Sequence, residues 1–118
     1  MPRFLTMVRI GERNAPAESP DPEFEGRMGA LFEEITKAGV MLETAGLTPT
    51  SQGTRITWSD GALRRTDGPF TGDGDVVGGY ALTRCKDKAE ALEWTERFLR
   101  IHPEHWTVTA EVREIAES

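Results

Sequence analysis

One cysteine, one tyrosine, two histidines and a deficit of positive charge set this 118-residue sequence apart. A lone thiol, Cys85, closes no disulfide within the chain, and without an export signal it fits a reducing compartment. No apolar run approaches the roughly 20 residues of a membrane helix. The opening MPRFLTMVRI lacks both an apolar h-region and a small-residue cleavage site. A cytoplasmic protein with no membrane partner is the expectation. Lys and Arg number 14 against 20 Asp and Glu, and the net charge of -6 repels phosphate backbones. Arg64-Arg65 is too short a basic run to reverse this, so nucleic acid is not an expected partner.

Several catalytic and ligand-binding patterns are also missing. His102 and His105 stand either side of Pro103, which breaks the helical face a metal pair needs, so His102 reads as a helix C-terminal residue favoured by the dipole. Asp73 and Asp75 alternate with glycines but lack the remaining ligands of a calcium loop. Gly72 and Gly74, followed by Gly78, open a strand, so a phosphate finds no helix N-terminus there. No metal or organic redox cofactor is expected. Cys85 lies between Arg84 and Lys86, which favour a thiolate, yet a buried structural thiol is the commoner state of such a residue.

What remains is enough for one core. Apolar residues make up 37% of the chain, with three Trp and five Phe, so residues 1–118 read as a single α+β domain. Arg3 to Ile10 suits a central strand. Gly11 to Pro22, with three prolines, reads as a mobile loop. Asp21 as N-cap and Pro22 at the first helical position start a helix whose stripe is Phe24, Met28, Leu31, Ile35 and Ala38, flanked by Phe32. Gly39 and Val40 supply a Schellman ending. The run Glu43 to Gly53 holds only short extended pieces.

Thr54 to Trp58 and Leu63 to Thr66 flank an Asp60-Gly61 turn and predict a hairpin. Asp67-Gly68-Pro69-Phe70 then breaks the ladder. Val76 to Cys85 returns as an inner strand, with Tyr80 and Leu82 on one face, Ala81 and Thr83 on the other, and Gly78-Gly79 where something approaches closely. Asp87 and Glu90 resemble a capping box for a helix with Ala91, Trp94, Phe98 and Ile101 on one stripe, stopping before Pro103. Val108, Ala110 and Val112 alternate into a last strand. This order predicts the ferredoxin-like split βαβ arrangement, an antiparallel sheet with two helices on one face. The other face then needs a cover, and a second copy of the chain is the natural one.

The residues Asp67-Gly68-Pro69-Phe70, then Val77-Gly78-Gly79-Tyr80 and Glu90-Ala91-Leu92-Glu93-Trp94, with Ala45-Gly46-Leu47-Thr48-Pro49 upstream, resemble the YCII-related family and its DGPF subgroup. The resemblance spans Phe4 to Ile115. It implies a dimeric α+β barrel, a homodimer in which two sheets pack face to face, and a link to bacterial transcription regulation through neighbouring sigma-factor genes. After the motif this chain has Phe70-Thr71-Gly72-Asp73-Gly74-Asp75 in place of the acidic and lysine pattern of its relatives, and residues 11 to 30 contain no histidine. No acid-base His/Asp pair therefore carries over.

Two functions stand against each other. One is a small-molecule pocket, enzymatic or not, with Asp67 as general base or ligand anchor, Trp58, Phe70 and Tyr80 as walls, and Arg55 or Arg84 holding an anion. The Asp-Gly-Pro pattern also makes an ordinary turn in which the carboxylate bonds nearby backbone, and strand aromatics are more often core. The alternative is a non-catalytic regulatory or protein-interaction module.

Overall fold

The computed structural model describes residues 1–12, 22–70, 72 and 74–117. Asp21, Asp73 and most of the Gly11 to Pro22 loop lie outside the described residues. Among these residues six strands and two α-helices follow in the order β1 (Arg3–Ile10), α1 (Pro22–Lys37), β2 (Met41–Gly46), β3 (Thr54–Ser59), β4 (Ala62–Asp67), β5 (Val76–Arg84), α2 (Lys88–Arg100) and β6 (Thr109–Glu114).

Four strands form one antiparallel sheet in the order β2-β5-β1-β6, so β1 and β5 are both internal. The register sorts side chains by face. Phe4 opposes Thr83 and Thr6 opposes Ala81 on one side, while Leu5 opposes Leu82 and Met7 opposes Tyr80 on the other. Phe4, Thr6 and Thr83 are buried, and they look toward the helices. Leu5, Met7, Tyr80 and Leu82 are half-buried on the opposite face.

Local chemistry explains the helix ends. The Gly39 amide donates to Thr36 and the Val40 amide to Ile35, at 3.0 and 3.2 Å, and Gly39 has φ of 74°. These are the two bonds of a Schellman motif, and Val40 folds back as a buried core residue. At the start of α2 the Asp87 carboxylate accepts from the Glu90 amide at 2.9 Å. Glu90 reaches past the cap and accepts from the Lys86 amide at 2.8 Å, so the capping box is displaced by one residue.

The core is small and sits near the Phe4 end of the sheet, where Phe4, Ile35, Val40, Cys85 and Ala91 pack with Met41, Trp94 and Val112. Within the helical stripes, Leu31 and Ile35 are buried, but Phe32 and Leu92 are exposed. Ala38, expected on the inner stripe, is exposed because the helix ends beside it.

Among the described residues β3 and β4 pair only with each other, as a separate two-stranded sheet. Asp60 and Gly61, with φ of 52° and 76°, make the mirror-image turn that matches strand twist. Every residue of both strands is exposed. Ile56, Trp58 and Leu63 share one face at 64%, 70% and 71% exposure, so Trp58 belongs to no core. The molecule is flat, 46 × 41 × 18 Å, with a radius of gyration of 16.2 Å. A compact chain of this length has a radius of about 13.5 Å.

Candidate functional site

The Asp67-Gly68-Pro69-Phe70 loop is built around a neighbour, Thr50, in the short 3-10 turn Thr50–Gln52. The Phe70 amide donates to Thr50 Oγ1 at 3.0 Å, and the Thr50 amide donates to Glu12 Oε2 at 2.7 Å. Thr50 Oγ1 also donates to the other Glu12 oxygen. These two bonds hold the Glu12 carboxyl below its ordinary value. The Gly68 amide donates to the Gly53 carbonyl at 2.9 Å. A Cβ on Gly68 would lie 1.8 Å from the Thr50 carbonyl oxygen, so this position admits no side chain. The Gly68-Pro69 bond is cis.

Around this loop the sequence-derived candidates separate into two places. Asp67 accepts from the Thr54 hydroxyl at 2.9 Å across the first pair of the β3–β4 ladder. The Arg55 guanidinium lies 3.9 Å from the centroid of the half-buried Phe70 ring. Trp58 stands further along the hairpin, exposed to solvent. Tyr80 and Arg84 are on β5, in the other sheet. The Tyr80 hydroxyl is pushed upward first by burial and then by the charge and hydrogen bonding of Glu43.

A cavity of about 380 Å³ lies between the helices and the main sheet. Met28, Leu31, Phe32 and Ile35 of α1 and Trp94 and Phe98 of α2 form its roof, and Thr6, Val8 and Ile10 of β1 with Ala81 and Thr83 of β5 form its floor. Of the candidates taken from the sequence only Tyr80 borders it, between Gly79 and Ala81. No Asp, Glu, Lys, Arg or His occurs among the described lining residues. The glycines shape this floor. A Cβ on Gly79 would meet the Ala45 carbonyl oxygen at 3.1 Å and one on Gly78 would meet the Ile10 side chain at 2.8 Å, the close approach the sequence called for.

The helices are clasped by Arg97 of α2 and Glu34 of α1, the two terminal guanidinium nitrogens donating to the two carboxylate oxygens, Nη1 at 3.0 Å. That pairing lowers the Glu34 value and raises that of Arg97. The Arg97 guanidinium also lies 4.9 Å from the Trp94 ring centroid.

Other reactive groups have structural uses. Cys85 is fully buried, and its thiol is pushed up by burial, with the charges of Glu90 and Asp87 adding to this and the Thr83 hydroxyl opposing it. It is the inert thiol, not the activated one. His102 Nδ1 lies 3.1 and 3.2 Å from the carbonyl oxygens of Phe98 and Leu99, which only accept, so it donates to the end of α2. Its ring packs among Phe24, Phe98 and Trp106.

An antiparallel sheet with two helices over one face, and between them a half-open recess with no charged side chain among its described lining residues, defines an α+β protein with an apolar recess. The YCII-related domain matches residues 6–116, nearly the whole chain, and the protein belongs to that family. No curated protein matches the chain. Among the described residues no helix is long and apolar enough to cross a membrane.

Proposed function

We propose that this protein binds a small molecule in the cavity between its helices and its main sheet. The observation that carries the reading is the cavity itself. Its volume of about 380 Å³ falls within the range of roughly 300–1,000 Å³ usual for ligand sites, with an apolar wall of the usual kind. The recess opens to solvent, so water fills it, and its mainly apolar wall offers that water few partners. A ligand that displaces such water gains free energy.

The four methionines provide the test. Met28 and Met41 line the cavity, Met7 lies on the opposite sheet face and Met1 near the terminus. A small-molecule library screened by methyl resonances of methionine-labelled protein is expected to yield ligands that move Met28 and Met41 and leave Met7 in place. Ligands that move only Met7, or a screen in which no cavity methyl responds, would refute the reading.

A second reading keeps the sequence-derived residues together. In it the chain is a member of the DGPF subgroup that works as a ferredoxin-like, two-fold dimeric α+β barrel, and a partner copy closes a pocket over Arg55, Trp58, Asp67, Phe70, Tyr80 and Arg84. The side-chain-free Gly68, fitted against Thr50, supports a specialised role for the motif. The half-buried apolar sheet face supports a second copy. In a purely regulatory module the same surface would receive a protein.

A further inference from the structure

Resting on the cavity reading above, we infer that the ligand is a neutral, mainly apolar molecule carrying a hydrogen-bond donor, an alcohol in its simplest form. Two features of the wall lead there. The first is charge. With no cationic side chain among the described lining residues, a carboxylate or phosphate entering the cavity would give up its hydration without a counter-charge. The arginines proposed from sequence as anion holders lie elsewhere, Arg55 against Phe70 on the hairpin side and Arg84 exposed at the end of β5. An ammonium is equally unprovided for, since the same wall holds no carboxylate.

The second feature is the direction of the wall's hydroxyls. Four threonines line the cavity: Thr6, Thr44, Thr83 and Thr95. Thr44 donates to the Tyr80 carbonyl and Thr95 to the Ala91 carbonyl, both at 2.8 Å. Thr83 points its hydroxyl at the Phe4 carbonyl at 3.5 Å. A carbonyl oxygen only accepts, so in each pair the single hydroxyl proton is committed to the protein. Thr83 also accepts from the Cys85 thiol at 3.7 Å, so the lone pairs left to a ligand are those of Thr44 and Thr95. A ligand that donates a proton to these two meets its complement, whereas an ether or ketone of the same size meets a second acceptor.

Three probes of nearly equal size test this: 1-octanol, its isomer 1-methoxyheptane, which lacks the O–H, and octanoate at a pH where it is ionised. Each is titrated against the methionine-labelled protein, following Met28 and Met41. Octanol is expected to bind at least tenfold more tightly than octanoate and severalfold more tightly than the ether. Octanoate binding as tightly as octanol would overturn the neutral class, and an ether matching octanol would overturn the donor. Either result leaves the cavity reading intact, whereas no response to any probe removes both. Ala81→Phe on the floor and Thr95→Phe on the roof each fill the cavity from a different element. Loss of octanol binding in whichever variant keeps its native melting transition is expected. Undiminished binding in a folded variant would mean that octanol sits elsewhere, and would overturn the assignment.

Discussion

Gly68 shows how one missing side chain can decide a loop. The glycine is required by space, since any Cβ would press into the Thr50 carbonyl. Gly68→Ala is therefore expected to lose about 1–3 kcal/mol of stability, the usual cost of overpacking, as read by urea denaturation. Gly11→Ala, where a Cβ meets nothing within 4 Å, serves as the near-neutral control. Asp67→Asn tests the neighbouring carboxylate. Its bond to the Thr54 hydroxyl predicts a loss of no more than about 1 kcal/mol. If the partner-closed pocket operates, ligand affinity falls in the same mutant while the melting temperature holds. The motif itself was legible in the sequence, as was the inert burial of Cys85. The use of Thr50 and Glu12 as its anchors was not, because no local pattern connects residues 12, 50 and 70.

Elements were read well where a backbone rule governs them. Gly39 and Val40 announced the Schellman end, and Asp60-Gly61 announced the hairpin. Pairing was harder to see. β2 was read only as short extended pieces, since Glu43-Thr44-Ala45-Gly46 has little β character of its own and becomes a strand by bonding to β5. Helix α1 carries two exposed interior glycines, Gly26 and Gly29, with open space where a Cβ would go. Gly29→Ala should raise stability by roughly 0.5–1 kcal/mol in thermal denaturation, by removing backbone entropy from the unfolded chain. The clasp between the helices gives a pH dependence with a definite sign. Glu34 is depressed in the folded protein, so its stabilisation is complete above the ordinary value of 4.5 and is lost as pH falls through its lower folded value. Melting temperatures measured through that range should fall less for Glu34→Gln than for the unaltered chain.

For the whole molecule, the strand order β2-β5-β1-β6 follows from reading strand, helix, strands, helix, strand with helices on one side. The cavity could not be read this way. Its lining residues carry the same periodic signal as core residues, and only the spacing between the helix layer and the sheet separates a filled interior from a recess. Assembly is the remaining prediction at this scale. With apolar residues half-buried on one sheet face and exposed along the hairpin, light scattering at micromolar concentration is expected to give twice the 13.1 kDa chain mass. A mass of one chain that persists on concentration would exclude the dimer.

The hairpin shares no ladder with the main sheet, and its Asp60-Gly61 tip stands at the end of two strands that are exposed throughout. The genetic engineer thus has a natural insertion point. A reporter peptide or small tag spliced between Asp60 and Gly61 would lengthen a surface loop, which costs little closure entropy, while leaving the helix–sheet recess and the Thr50 anchor untouched.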